Sequence, residues 1–419
     1  MIIIESAKVM INSSWIKNRW LILLMVLWSL FPILRVLILG VDSSKNVLEL
    51  MFSNIPELFF IFIVYLYKDD IIRNITSNKK NKLGFIIYII IVLSGIVVGY
   101  IKNGGQILPI IYGYKLTYLP LLVLFFPLNN SEIIKDNMDK IFSYFVYYTI
   151  LSLVFHFLFN DFEKKVIIES GHLVPEYFIM RTGGFLLTPV PFSIIVSFSI
   201  IYFFVKLISE KQQVLHWLYL IILFLGLNYS VSRIGLLGVQ IIIIYLSLRT
   251  KNIFKGILVL MLFYLVSIIV FNEHKKFFSW LFFSTQQTVS LNKNVKRSNL
   301  WISTFNELKE NYLLGYGIGS AGAGAIKFFK DNHQKASINS TDCWYLKIFN
   351  ELGIINALLL FVFIFLMIFK DLFKEDFVFS SSIFLLVFIS AMFNNILDFF
   401  PLNVLIYFIL KNPINYKML

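Results

Sequence analysis

WLILLMVLWSLFPILRVLILGV, residues 20–41, contains one charged residue, Arg35, in an otherwise apolar run. About 20 such residues in a helix cross the hydrocarbon core of a bilayer. The stretch therefore reads as a membrane span, and it reads so without any cleavable leader. The same pattern recurs to the end of the chain. Of 419 residues, 58% are hydrophobic, 17% aromatic and only 15% charged, and the mean hydropathy is +0.79. A water-soluble domain of this length has too little interior to hide that much apolar surface. The apolar runs predict spans near 20–41, 47–67, 83–101, 106–128, 141–159, 185–205, 214–230, 234–248, 254–271, 343–369, 377–394 and 396–410. The expected fold is an all-α polytopic membrane protein of about twelve (11–12) transmembrane helices.

Charge orients these spans. With the N-terminus inside, the short cytoplasmic segments hold 19 Lys and Arg, and the short external loops hold 6. Short loops rich in Lys and Arg stay cytoplasmic, so both termini are expected inside. The formal net charge of +13 is then largely anchoring at an anionic leaflet, and nucleic acid is not an expected partner. A single cysteine, Cys343, rules out an intramolecular disulfide, and five histidines without a clustered spacing predict no metal site. No cofactor is expected.

Two polar pieces fall outside the membrane in this arrangement, 160–184 and the longer 272–341. They divide the chain into an N-terminal membrane part (1–271), a large external loop (272–341) and a C-terminal membrane part (342–419). The large loop carries nine Lys and Arg against four carboxylates. Within it Trp301, Phe305, Leu308 and Tyr312 recur at helical spacing, so a helix is expected from Asn299 to Tyr312.

Leu313 to Ala325, LLGYGIGSAGAGA, contains Gly317, Gly319 and Gly322 in a G-x-G-x-x-G spacing, with Asp342 about twenty residues later. A dinucleotide site needs a strand before such glycines and a βαβ unit around them. Here a helix precedes them and a span follows, on the external face. No Lys-Ser/Thr follows to make a P-loop. The run is expected to be a flexible turn or a close helix contact.

Other elements stand around it in order: Arg181-Thr-Gly-Gly-Phe185, Ser232-Arg233-Ile-Gly-Leu-Leu237, Arg297-Ser-Asn-Leu-Trp301, the glycine run, Asp342-Cys-Trp-Tyr-Leu346 and Glu351-Leu-Gly353. In this order and on this side, the second half of the chain resembles the O-antigen polymerase and ligase superfamily. The resemblance implies a multi-span glycosyltransferase fold of the GT-C-like type. It implies an enzyme of the bacterial inner membrane that joins oligosaccharide repeat units carried on undecaprenyl diphosphate, on the outer face, into O-antigen or capsular polysaccharide. Neither metal nor nucleotide sugar is needed, because the donor is already activated. Membrane lipids and a chain-length regulator protein are the further partners it implies. An O-antigen ligase is the neighbouring alternative. A lipid-linked-sugar flippase is the rival of another class. Against it stand the short middle link, 206–213, and the late, external position of the largest loop.

The residues suit that chemistry. A lipid diphosphate leaves as an anion, and the guanidinium fork pairs bidentately with phosphate oxygens. Arg233 sits between two spans with almost no loop, where a charge is costly without an anionic partner. Arg181 and Arg297 are expected to join it in binding diphosphate, with Arg35 and Lys115 as further intramembrane charges, each either a structural pair or a ligand contact. Trp301 reads as packing; His172 and His333 read as solvated. The family pattern opens its last element with His-Asn, where this chain has Asp342-Cys343. Three roles stand open for Asp342: general base, hydrogen-bonding support for the acceptor sugar, or cap of the helix that follows.

Overall fold

The computed structural model describes residues 14–39, 54–127, 131–163, 182–209, 214–271, 287–290, 293–322, 343–372 and 377–414. Helices α1 (Ser14–Leu39), α2 (Ile55–Leu66), α3 (Lys68–Ser77) and α4 (Lys79–Lys102) come first. Next is α5, a composite: Leu108–Gly113 is α-helical, Tyr114–Tyr118 a π turn and Leu119–Phe125 a 3₁₀ segment. Then follow α6 (Ser131–Leu158), α7 (Pro189–Ser209), α8 (Val214–Ser230), α9 (Arg233–Arg249) and α10 (Ile253–Phe271). Strands β1 (Gln287–Ser290) and β2 (Lys293–Lys296) form one antiparallel hairpin, with Gln287 opposite Lys296. They lead into α11 (Arg297–Glu310), α12 (Trp344–Leu372), α13 (Val378–Phe393) and α14 (Leu402–Lys411). Each of the twelve expected spans coincides with one of these helices, and among the described residues the hairpin is an addition to an otherwise helical architecture. Among the described residues, seven helices are long and apolar enough to cross a membrane.

The surface agrees with that reading. Ile86, Ile90, Leu93 and Val97 are exposed along α4, and Ile257, Met261, Leu265 and Ile268 along α10. Apolar stripes of this length face lipid or a partner, not water. At the centre stands α7, almost wholly buried, which is why its sequence is apolar on every side. Its serines do not break that rule. Ser197, Ser199 and Ser209 donate to the carbonyls of Ser193, Ile195 and Val205, at 2.7–2.9 Å. Around α7 pack α6, α8, α9 and α13, while α12 runs along α4 and α14 along the second half of α5. Phe142 of α6 stacks on Tyr202 of α7 at 4.3 Å between ring centroids.

One expected span has a different shape. The run 343–369 is not one continuous helix: α12 breaks at Gly353, whose φ is 66° and ψ 179°. The piece 344–352 folds back on the piece 354–372. Rings of Trp344, Tyr345 and Phe349 lie 6.3, 6.1 and 5.9 Å from that of Phe361. A straight helix, rising ~1.5 Å per residue, would hold Trp344 and Phe361 about 25 Å apart. The last expected span, 396–410, is likewise shorter as a helix. A 3₁₀ turn at Ile396–Asp398 precedes α14.

Candidate functional site

A helix broken inside a membrane protein leaves backbone amides and carbonyls that lipid cannot satisfy. The glycine run answers this need at Gly353. Tyr316 N and Gly317 N donate to the carbonyls of Asn350 and Glu351, at 2.8 and 2.7 Å, closing the first piece of α12. Ile354 N donates to the Tyr312 carbonyl at 2.7 Å, opening the second. Ile318 N reaches the Gly95 carbonyl of α4 at 2.9 Å. A methyl group on Gly317 would stand 1.9 Å from the Gly99 nitrogen, and one on Gly319 2.1 Å from the Pro109 carbonyl oxygen. Both glycines have positive φ, 88° and 82°. The run is thus a wedge between α4, α5 and the break in α12. The amides of Tyr316, Gly317 and Ile318 are spent on protein carbonyls and that of Gly319 on the Glu351 carboxylate, so none of these four is left to cradle a phosphate. Of the two structural expectations for this run, the close helix contact is the one observed.

Beside the wedge lies a group that sequence reading did not assemble. Lys347 Nζ is 2.7 Å from Asp398 Oδ2, 2.7 Å from Thr117 Oγ1 and 3.8 Å from Glu351 Oε2. Thr117 Oγ1 also donates to Asp398 Oδ1 at 2.9 Å. Tyr118 OH and Gly319 N donate to Glu351, both at 3.1 Å. All are buried. The network ties the first piece of α12, the π turn of α5, the turn before α14 and the wedge into one unit. Glu351 was visible as part of a motif. Lys347 could have been found as an intramembrane charge one helical turn before Glu351. Asp398, the one charge inside the expected span 396–410, could have been found in the same way, but its pairing with Lys347 and the part of Thr117 join distant segments and carried no local signal.

At the end of α8 the chain turns within two residues. Val231 has φ 50°, rare for a β-branched side chain and costing roughly 1–3 kcal/mol. Ser232 caps α9, its hydroxyl oxygen accepting from Gly235 N. Arg233, half-buried, is the first residue of α9. A Cβ on Gly235 would meet Leu227 at 2.7 Å and Ser193 at 3.2 Å, so this glycine serves close packing against α8 and α7. Thr182 N donates to the Tyr229 carbonyl at 2.9 Å, joining the segment after position 181 to this turn.

That segment is pinned from below by a second residue the sequence did not disclose. Glu163 Oε1 accepts from Gly183 N at 2.7 Å and from Thr182 Oγ1 at 2.9 Å. Glu163 Oε2 pairs with His156 Nδ1 at 2.6 Å. Both side chains are almost wholly buried. Glu163 stands among Asp161, Lys164 and Lys165 in sequence, a setting that reads as a solvated loop.

The expected site residues divide accordingly. Arg233 sits at the strained turn. Arg35, half-buried, belongs to α1, which packs against the turn Gly184–Leu186. Arg297 opens α11, which packs on α12; Tyr316 OH of the wedge donates to the Glu307 carbonyl there at 3.1 Å. The helix expected from Asn299 to Tyr312 is therefore present, two residues earlier at each end, and Trp301 is half-buried in it. Lys115 pairs with Glu57, 2.9 Å away. Arg181, Asp342, His172 and His333 lie outside the described residues, as does most of the loop between α6 and α7. Next to position 342, Cys343 is buried. No group of three or more His, Cys, Asp or Glu suited to a metal occurs among the described residues.

Residues 218–362 match a family model described as O-antigen ligase. The matched stretch contains Arg233, Arg297, the glycine wedge, Lys347, Glu351 and the break at Gly353, and it bears out the resemblance to the O-antigen polymerase and ligase superfamily. No curated protein and no solved structure matches the chain.

Proposed function

We propose that this chain, which carries the O-antigen ligase match over residues 218–362, transfers glycosyl groups from a lipid-diphosphate-linked oligosaccharide at the outer face of the bacterial inner membrane. The preferred reaction is polymerisation of repeat units. An acceptor hydroxyl attacks the anomeric carbon of the donor sugar. The bond from that carbon to the phosphate oxygen breaks, and the lipid diphosphate leaves with the electron pair. Its growing negative charge is met by Arg233, with Arg181, Arg297 and Arg35 supplying further positive charge. Asp342 is the candidate for taking the acceptor proton. The metal-free character of the reaction and the cytoplasmic placing of both termini belong to the same proposal.

The observation that supports this reading is the turn at Val231–Arg233. A strained backbone is retained there, a serine caps the helix behind it, and the Thr182–Gly184 segment is bonded onto it. Strain held in place by so many partners marks a side chain whose position matters.

The test compares Arg233→Lys and Arg233→Ala in cells whose own copy is deleted. Lysine keeps the charge and loses the bidentate fork. Both variants should lose most long polymer at normal protein level, alanine more than lysine. Wild-type polymer from the alanine variant would remove Arg233 from the chemistry. Whether single repeat units or whole polymers accumulate on the lipid carrier separates polymerase from ligase.

A further inference from the structure

The family match begins at residue 218, and a second charged site lies wholly before it. Helix α2 opens with Ile55-Pro56-Glu57, proline at its first turn. Glu57 stands where the helix dipole favours a negative charge. Its side chain is 9% exposed. One oxygen, Oε1, is 2.9 Å from Lys115 Nζ. The other, Oε2, is buried and has no hydrogen-bond partner among the described residues. A buried carboxylate oxygen without a donor is expensive, and proteins seldom leave one so.

The surroundings hold the lysine with more care than a plain ion pair needs. Lys115 Nζ also donates to Asn54 Oδ1 at 2.6 Å. Asn54 occupies the N-cap position of α2 but makes no side-chain cap bond to its own helix. Its carbonyl oxygen serves the ammonium instead. Lys115 Nζ lies 4.7 Å from the ring centroid of Tyr112. Lys115 itself belongs to the π turn Tyr114–Tyr118, an irregularity that recurs at functional sites. Gly113, two residues before it, packs against the wedge: a Cβ there would be 2.7 Å from Gly319 Cα. The site therefore adjoins the wedge from the α5 side, while α12 adjoins it from another.

Charge selects the ligand. Lys115 and Glu57 neutralise one another, so a free cation has no excess negative charge to seek. The open carboxylate oxygen repels a diphosphate. What it can take is a neutral O–H donor, and sugar hydroxyls are that class. We infer that Glu57, Lys115 and Asn54 form a subsite for neutral sugar hydroxyls of the acceptor chain, with Glu57 Oε2 as the accepting atom. This rests on the glycosyl-transfer reading above.

The test uses full-length protein in proteoliposomes, with lipid-linked repeat units extracted from a polymerase-deficient host as the probe. A Glu57→Leu/Lys115→Met double variant strands no charge, and replacing a buried ion pair by apolar groups of similar size is commonly tolerated. If the pair only holds helices together, this variant works as wild type does. If it is a subsite, the KM for acceptor rises about tenfold, the scale of one lost charge-assisted hydrogen bond, while kcat stays within about twofold. An unchanged acceptor KM overturns the inference. Should the double variant fail to accumulate, Glu57→Gln keeps the size of the side chain. It must raise the acceptor KM about threefold or more, and an unchanged value overturns the inference equally. Arg233→Ala is run beside both. Polymer from Arg233→Ala sinks the glycosyl-transfer reading itself; no polymer from it together with normal acceptor KM in the Glu57 variants sinks the subsite alone.

Discussion

Replacing Lys347 by methionine removes a cation that faces two buried carboxylates, Asp398 at 2.7 Å and Glu351 at 3.8 Å. Methionine fills the same volume, so packing changes little. The carboxylates keep their neutral donors, Thr117 on Asp398 and Tyr118 with Gly319 N on Glu351. What is lost is the compensation of charge. Breaking a buried pair from one side costs about 3–5 kcal/mol. The double variant Lys347→Met/Asp398→Asn restores the original excess of one negative charge and leaves Thr117 an amide to bond. It should recover about 1–3 kcal/mol of that loss, the size of coupling expected between groups in contact. Thermal unfolding of the purified protein in detergent, followed by tryptophan fluorescence, gives the order: Lys347→Met lowest by several degrees, the double variant above it, wild type highest. Lys347→Met melting with wild type, or strict additivity in the double variant, would refute the reasoning that this network clamps the broken helix.

Gly317→Ala puts a methyl group 1.9 Å from the Gly99 nitrogen at φ 88°, and should leave little folded protein on size-exclusion chromatography. Gly104→Ala, at φ 65° with nothing within 4 Å among the described residues, should cost only roughly 1–2 kcal/mol and accumulate almost normally. Asp342→Asn keeps the shape but cannot take a proton near neutral pH. If Asp342 is the base, chain growth falls ~10²–10⁴-fold, single repeat units remain on the carrier, and Asp342→His recovers part of the rate. Full-length polymer from Asp342→Asn would exclude it as the base and leave hydrogen-bonding support and capping, which Asn serves as well. Cysteines placed at Ser290 and Ser170 in a Cys343→Ser background should react with an impermeant maleimide in intact spheroplasts, and labelling only after lysis would reverse the orientation. Native Cys343, buried, should stay unlabelled in the folded wild-type protein.

Membrane class and helix positions were legible because both are local. A run such as 20–41 has nowhere to put its apolar surface but lipid, whatever the rest of the chain does. Gly235 beside Arg233, and the helix beginning near Arg297, were legible for the same reason: each depends on neighbours in sequence. The glycine run shows the limit. Its spacing alone fits a phosphate loop, a turn or a contact. Only the folded chain shows that its amides close the two ends of a helix broken at Gly353.

The sequence by itself determined that the chain is a bundle of apolar helices with basic ends and a large polar insertion, since hydrophobicity and charge act residue by residue. Tertiary structure decided which buried charges face one another. Lys347 meets Thr117 and Asp398 across separations of 230 and 51 residues. Glu163 reaches Thr182 across 19 residues, most of them in a polar loop. Such pairs leave no periodic trace, because a charge in lipid needs a partner in space and any segment that passes nearby can supply it.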